Sequence, residues 1–252
     1  MTRWLNFKLI LLMFLTGGCA YTPPSNYARR VVETPEFNLM SWQKLEQPGA
    51  EITFYIEGDG HAFNANGFAS KDPTPGQTTM RKIAFRDLDS NVVYLARPCQ
   101  FVSSPRCEKK YWTTGRFAPE VIAAEASAIH EIMRANSSSS AVLVGYSGGA
   151  MVAGLIAVRN PDLHIRKIIT VAGLLEHKNW TAYHKVPPLK DSLDLSDYQE
   201  AFAKIPQQHF LGAKDKIIVR DLMPVSDKKL IVFENASHSE GWDELDLASF
   251  KR

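Results

Sequence analysis

The sequence has little cysteine, no excess of charge of one sign and no apolar run long enough to span a bilayer. Only three of its 252 residues are Cys. No His lies beside Cys99 or Cys107, so this pair does not make a zinc site. The formal net charge is +2, from 29 basic and 27 acidic residues. We therefore expect no nucleic-acid partner, because phosphate neutralisation dominates that affinity.

The composition indicates a globular protein with one sizeable core. Hydrophobic residues make up 45% of the chain and charged residues 22%, which excludes a disordered polypeptide. We divide the chain into a signal peptide (residues 1–18), a tether with an edge strand (19–50) and a main domain (51–252). Within that domain, residues of about 174–206 carry three Pro and several aromatics, and they are expected to form an excursion over the core.

The first residues are typical of an export signal. Arg3 and Lys8 belong to the start, Leu9–Leu15 is a short apolar run, and small residues follow it. The run is too short to cross a membrane, so removal is the better interpretation. Without residues 1–18 the acidic and basic side chains balance at 27 each, since Arg3 and Lys8 are the only charges lost.

The end of this segment, Leu-Thr-Gly-Gly-Cys19, resembles the lipobox of bacterial lipoproteins. It departs from the commonest pattern because Thr16 stands where Leu is usual. The resemblance implies acylation of Cys19, with ordinary secretory cleavage as the alternative. Ala20 after the Cys resembles the sorting signal for the outer membrane, so we expect a lipid-anchored protein of the cell envelope, on the periplasmic face of that membrane.

Cys99 and Cys107 lie eight positions apart in a segment that also contains Pro98 and Pro105. In an oxidising compartment such a pair can join a loop by a disulfide. The alternative is two free buried thiols. The export signal favours the disulfide.

Apolar runs of strand length alternate with helical stretches along the main domain. This alternation predicts an α/β fold, with a mainly parallel sheet covered by helices on both faces. The predicted strands are 51–56, 91–96, 141–144, 167–171, 208–211 and 229–233. The predicted helices are 78–87, 119–135, 148–158 and 196–204.

The segment Gly145-Tyr-Ser-Gly-Gly149 follows a predicted strand and opens a predicted helix. A G-x-S-x-G sequence in that context predicts a nucleophile elbow, in which a sharp turn exposes the hydroxyl of Ser147. The turn also places the amide of Gly148 at a helix N-terminus, where it can stabilise an oxyanion. An ordinary Gly-rich turn is the alternative.

A nucleophilic serine needs a base and an acid that orients the base. His238 follows the last predicted strand and Asp215 follows the strand before it, so both are expected at the same edge of the sheet. Glu176 is a rival for the acid. A turn carboxylate and a solvated histidine are the alternatives for Asp215 and His238.

Taken together, these segments resemble the α/β-hydrolase superfamily, and more narrowly a branch of exported bacterial lipoprotein serine hydrolases. The likeness runs from about residue 51 to the C-terminus, and no substrate follows from it. The superfamily implies hydrolysis without a metal or organic cofactor. The segments that carry it are YIEGDGHAF, DPTP, YLARPCQ, YWTTGRFAPEVI, GYSGGA, VAGLLEH, LGAKDKIIV and ASH.

The resemblance places a second oxyanion amide in the loop Glu-Gly-Asp-Gly-His61, on Asp59 or Gly60. Yet the superfamily usually has His-Gly or apolar residues here, and a carboxylate would oppose a developing negative charge unless it is turned away or hydrogen-bonded. Asp59 can instead bind a cationic substrate group or cap the turn. His61 is expected near the pocket or simply in solvent.

The sequence thus predicts a serine hydrolase that cleaves an ester, thioester or amide of a small-molecule or acyl substrate through an acyl-enzyme on Ser147. A non-catalytic binding lipoprotein with the same fold is the main alternative. A haloperoxidase or acyltransferase with the same triad is a third, because fold does not fix chemistry.

Overall fold

The structure is a computed structural model that describes residues 21–251. The signal peptide and Cys19 lie outside these residues. The described chain forms one eight-stranded sheet in the order β1-β2-β4-β3-β5-β6-β7-β8. The strands are β1 (Ala28–Glu33), β2 (Asn38–Leu45), β3 (Ile52–Ile56), β4 (Asn91–Leu95), β5 (Ala141–Tyr146), β6 (Ile165–Val171), β7 (Gln207–Gly212) and β8 (Leu230–Phe233).

The helices are α1 (Thr79–Phe85), α2 (Pro119–Ala135), α3 (Gly148–Arg159), α4 (His177–His184) and α5 (Gln199–Ala203). The bounds of α2 are those predicted. The helix predicted for residues 196–204 is divided, because a 3-10 turn at Leu195–Tyr198 precedes α5. The region expected to be an excursion contains α4 and α5. None of the helices within residues 21–251 has the length and apolar character needed to span a bilayer.

Residues 21–50 differ from the predicted tether with an edge strand. They form an antiparallel hairpin of β1 and β2, and β2 lies between β1 and β4 rather than at the edge. The main domain therefore begins well before residue 51. Tyr21 also packs on this domain, since its ring stacks on Phe85 with centroids 5.9 Å apart.

The central strands β3, β4 and β5 are buried at every position. Such runs are typical of a parallel sheet covered on both faces. On one face, Phe54 and Leu143 belong to a core that includes α2 and α3. On the other face, Tyr55 and Val144 belong to a core with α1 and the C-terminal segment. The predicted two-sided α/β architecture is confirmed.

Strands β3 to β8 are parallel to one another, and the antiparallel pairing of the sheet is confined to β1, β2 and the contact of β2 with β4. The carboxyl ends of parallel strands meet at one edge, so the loops that follow β3, β5, β7 and β8 lie side by side. These loops carry Asp59, Ser147, Asp215 and His238 respectively.

Cys99 and Cys107 form a disulfide, with an S–S distance of 2.11 Å and a Cα–Cα distance of 5.7 Å. The bond closes the loop that follows β4. The loop also carries Gln100, whose Nε2 donates a hydrogen bond of 3.0 Å to the carbonyl of Gly58. The disulfide thus restrains a segment that supports the turn after β3.

Replacing Cys99 and Cys107 together by Ser should lower the free energy of unfolding by about 2–3 kcal/mol, because a loop this short removes limited chain entropy from the unfolded state. The variant should still fold. Urea unfolding with and without reductant measures the effect, since reductant should weaken the wild type by a similar amount and leave the variant unchanged. The reductant must first be given access to the disulfide in the urea-unfolded chain. A wild-type unfolding curve that is then the same with and without reductant would contradict the prediction.

Candidate active site

The turn between β5 and α3 places Ser147 in a strained conformation, with φ 50° and ψ −121°. Only glycine fits two positions to either side. A Cβ added at Gly145 would lie 2.5 Å from Cα of Ala150, and one added at Gly149 would lie 2.4 Å from the carbonyl oxygen of Ile56. Contacts this short exclude a side chain. The predicted elbow geometry is present in the structure.

Ser147, His238 and Asp215 form one hydrogen-bonded chain. Ser147 Oγ lies 3.0 Å from His238 Nε2, and His238 Nδ1 lies 2.9 Å from Asp215 Oδ2. An ionised carboxylate only accepts hydrogen bonds, so Nδ1 is the donor to Asp215. In a neutral imidazole Nε2 is then free to accept the hydroxyl proton of Ser147. The structure brings the three predicted side chains together in the predicted order.

The carboxylate of Asp215 is fixed as well as buried. Its side chain is 0% exposed. The second oxygen, Oδ1, accepts hydrogen bonds from the amides of Ile217 at 2.8 Å and Ile218 at 3.0 Å. Three donors thus hold the group in one orientation, and the imidazole of His238 is oriented with it.

Glu176, the rival acid, does not reach the imidazole. Its carboxylate accepts hydrogen bonds from Asn179 and, at 3.0 Å, from Gln199. Both partners lie on the α4 and α5 side of the molecule. The contact with His238 that Glu176 would need is made by Asp215.

Other histidines have separate environments. His209 is buried in β7, where Nδ1 lies 2.8 Å from Thr170 Oγ1, and burial lowers the pKa of its imidazole to about 4. His177 is buried 3.4 Å from Asp194. His61 is exposed and lines the pocket next to Ser147.

The turn after β3 lies directly against the elbow. A Cβ added at Gly58 would lie 3.2 Å from Cβ of Ser147, and one added at Gly148 would lie 2.1 Å from Asp59 Oδ1. A Cβ added at Gly60, which also lines the pocket beside Ser147, would lie 2.1 Å from the carbonyl oxygen of Pro73. Within residues 21–251 the amides of Asp59 and Gly148 donate no hydrogen bond. The amide of Gly60 donates none either, so both predicted positions stay candidates for the second oxyanion amide, and Asp59 is the one whose side chain contacts Gly148.

Asp59 makes ion pairs that the sequence did not predict. Its Oδ2 lies 2.6 Å from Arg116 Nη1, and its Oδ1 lies 3.5 Å from Arg97 Nη1. Arg97 Nε in turn lies 2.7 Å from Glu125 Oε1. Both arginines belong to segments that carry the superfamily resemblance, but nothing in those segments indicates which carboxylate they meet.

A pocket of about 330 Å³ opens above Ser147 and His238. Its walls include Gln77, Thr79 and Ile217, so they are of mixed polarity. Glu57 also lines it. Burial raises the pKa of the Glu57 carboxyl, although hydrogen bonds that it accepts from the Tyr94 hydroxyl and the Gly58 amide oppose the rise.

Beneath the pocket, the Glu57 side chain fixes the start of the turn after β3. Its Oε1 accepts a hydrogen bond of 2.8 Å from the Gly58 amide, and its Oε2 accepts one of 2.6 Å from the hydroxyl of Tyr94. The backbone amide of Glu57 also donates to the carbonyl of Leu95 at 3.1 Å. The turn therefore leaves the sheet from a rigid base.

Solved structures similar to this chain share its architecture. An α/β serine hydrolase homologue from Coxiella burnetii has 14% identity and a TM-score of 0.53, over 84% of this chain and 89% of its own. Est1E from Butyrivibrio proteoclasticus has 10% identity and a TM-score of 0.59, over 86% and 93%. An esterase from Pyrococcus furiosus has 14% identity and a TM-score of 0.56, over 89% and 86%.

No protein-family model and no curated protein matches the sequence. At identities this low the structural likeness establishes the fold alone. The chain has the α/β-hydrolase fold, as predicted.

Proposed function

We propose that this chain is a serine hydrolase that cleaves an ester, thioester or amide bond through an acyl-enzyme on Ser147. The observation that carries the proposal is the continuous contact from Ser147 Oγ through His238 to Asp215, at 3.0 Å and 2.9 Å. A strained elbow that exposes a serine to such a base is the arrangement that nucleophilic catalysis requires.

In the first half of the reaction, Ser147 Oγ attacks the substrate carbonyl while His238 Nε2 accepts the hydroxyl proton. A bond forms between Oγ and the carbonyl carbon, and the carbonyl oxygen becomes an oxyanion. The amides of Gly148 and Asp59 donate hydrogen bonds to it. Asp215 keeps Nδ1 protonated and stabilises the imidazolium of His238.

The tetrahedral intermediate then collapses. The bond to the leaving group breaks, and Nε2 of His238 gives its proton to the departing oxygen, sulfur or nitrogen. Water takes the place of the leaving group, loses a proton to the same Nε2 and attacks the acyl carbon. The tetrahedral intermediate that forms then collapses: the bond from Oγ to the acyl carbon breaks, Nε2 returns its proton to Ser147 Oγ, and the acid product is released.

The pocket, of about 330 Å³ and open to solvent, suits a small molecule or an acyl group. Its walls combine polar side chains such as Gln77 and Thr79 with apolar ones such as Ile217. A screen of p-nitrophenyl esters of increasing chain length beside peptide amides would define the preferred acyl group.

Labelling by a fluorophosphonate tests the proposal against a non-catalytic binding lipoprotein. A fluorophosphonate phosphonylates an activated serine with loss of fluoride, so the wild type should be labelled and peptide mapping should place the label on Ser147. An unlabelled, correctly folded wild type would refute a serine hydrolase. Product analysis with added alcohol or peroxide separates acyl transfer and perhydrolysis from hydrolysis.

We also propose that the protein is exported and anchored by an acyl group on Cys19, on the periplasmic face of the outer membrane. The lipobox-like sequence supports this, and the disulfide between Cys99 and Cys107 suits an oxidising compartment.

Cys19→Ser should abolish incorporation of labelled palmitate and move the protein from the detergent phase to the aqueous phase. Each acyl chain supplies about 0.8 kcal/mol of membrane affinity per buried CH₂ group, and the substitution removes the attachment point. The double Ser variant of Cys99 and Cys107 is the matched control, because it should still incorporate palmitate. Unchanged partitioning of Cys19→Ser would exclude the anchor.

A further inference from the structure

The carboxylate of Asp59 lies at an unfavourable place for the reaction proposed above. Its Oδ1 contacts Gly148, because a Cβ added at that glycine would be 2.1 Å away. In the proposed reaction Gly148 supplies one oxyanion amide and Asp59 supplies the other. A bare negative charge here would repel the oxyanion that forms on the substrate, and the repulsion would be strong because the site is partly shielded from water.

Two buried arginines neutralise this carboxylate. The side chains of Arg116 and Arg97 are 9% and 5% exposed, and Asp59 is 18% exposed. Arg116 Nη1 approaches Oδ2 at 2.6 Å, and Arg97 Nη1 approaches Oδ1 at 3.5 Å. Oδ2 accepts a hydrogen bond from Arg116, whereas Oδ1 has no hydrogen-bond partner within residues 21–251 and faces Arg97 at ion-pair distance. Asp59 is thereby occupied, which argues against the alternative that it binds a cationic substrate group.

The two guanidinium groups are themselves held in place. Arg116 Nε donates a hydrogen bond of 2.9 Å to the carbonyl of Thr113. Arg97 donates to the carbonyl of Arg116, and its Nε lies 2.7 Å from the fully buried Glu125 of α2. The arginines thus link the turn after β3 to the loop before α2 and to α2 itself.

We propose that Arg116 and Arg97 are positioning residues for the oxyanion hole. They cancel the charge of the Asp59 carboxylate and hold the turn that contains it, so that the amide of Asp59 stays aligned with that of Gly148. The inference rests on the proposed hydrolase function. It gives Asp59 two roles: its amide donates to the oxyanion, and its side chain locks the turn.

The role makes Arg116→Gln informative. This change leaves the Asp59 carboxylate without its closest cation, so kcat for p-nitrophenyl acetate should fall by about 10- to 100-fold, a little less than the loss of a whole oxyanion donor. KM should change by less than about threefold, because the lost stabilisation acts on the transition state more than on bound substrate. The rate of inactivation by a fluorophosphonate should fall in parallel.

A second substitution separates charge from packing. Asp59→Asn added to Arg116→Gln removes the unpaired negative charge, so kcat of the double variant should recover by at least about tenfold over that of Arg116→Gln. Arg116→Lys keeps the charge and should retain kcat within about fivefold of wild type. If Arg116 acted only by supporting the fold, the added Asp59→Asn substitution would remove further contacts and kcat would not recover.

Arg166→Gln is the matched control. Arg166 also pairs with a carboxylate, Glu51 at 2.5 Å, but at the start of β6 and therefore at the opposite edge of the sheet. It should leave kcat unchanged. Circular dichroism and thermal unfolding of all variants establish that they are folded.

Two results would overturn the inference: a folded Arg116→Gln with wild-type kcat, or a double variant no more active than Arg116→Gln. The proposed hydrolase function would survive either result if the fluorophosphonate labels Ser147 of the wild type and does not label Ser147→Ala. If the wild type neither hydrolyses the ester nor reacts with the fluorophosphonate, the hydrolase function and the inference both fall.

Discussion

Ser147→Ala should lose hydrolysis of every substrate that the wild type cleaves, by about six orders of magnitude in kcat, the scale at which removal of a nucleophilic serine acts. The physical reason is that alanine has no oxygen to form the acyl-enzyme, while the remainder of the site stays intact. Steady-state kinetics with p-nitrophenyl acetate and labelling by a fluorophosphonate measure the loss. Retained turnover on any wild-type substrate would refute the role of Ser147.

Stability provides the control for this variant. The hydroxyl contributes little to packing, so the thermal midpoint of Ser147→Ala should stay within about 3 °C of wild type. Ser147→Gly should also be inactive, yet more stable than Ser147→Ala by about 1 kcal/mol, because φ 50° and ψ −121° strain any residue with a Cβ. An inactive but more stable variant would show that the elbow holds its serine at a cost in stability.

Asp215→Asn should lower kcat by about three to four orders of magnitude. The Asn amide can donate to Nδ1 of His238, which favours the tautomer with the proton on Nε2. That nitrogen can then no longer accept the proton of Ser147, although it lies 3.0 Å from Oγ. The substitution changes few atoms, so the loss of activity should appear without loss of fold.

Glu176→Gln is the matched control for this carboxylate. It removes the same charge from a buried carboxylate that follows the neighbouring strand, β6, and contacts Asn179 and Gln199 instead of the imidazole. Its kcat should stay within about fivefold of wild type. If Glu176→Gln had the strongly reduced kcat and Asp215→Asn a kcat close to that of the wild type, Asp215 would not be the acid of the triad.

The sequence predicts much of this fold because the central strands are apolar throughout. Strands β3, β4 and β5 stand out as buried runs, and the alternation with helices then requires a sheet covered on both faces. Strand β1 does not stand out, because only Val32 of its six residues is buried. Its place depends on pairing with β2, which no local pattern of apolar residues indicates. The predicted tether failed for that reason.

The residues of the candidate site also differ in how far the sequence predicts them. Ser147, Asp215 and His238 are predictable because a parallel sheet brings the loops at its carboxyl edge together, whatever their separation along the chain. The ion pair of Asp59 with Arg116 spans 57 positions and joins a strand-end turn to an irregular segment before α2. A lone arginine in a loop usually faces solvent. Its burial against one carboxylate follows from loop conformation, which strand order does not determine.

The stacking of Tyr21 on Phe85 limits the distance between the folded domain and an acyl group on Cys19. Tyr21 lies two positions after Cys19 and packs on the domain. Because an extended chain spans about 3.4 Å per residue, the connection between Cys19 and the domain would be at most about 7 Å long. Phe85 is the last residue of α1, and the first residue of the same helix, Thr79, lines the pocket. If Cys19 carries the proposed acyl group, a connection this short would keep the domain close to the bilayer surface. Molecules that diffuse along that surface would then reach the pocket at a higher effective concentration than dissolved ones.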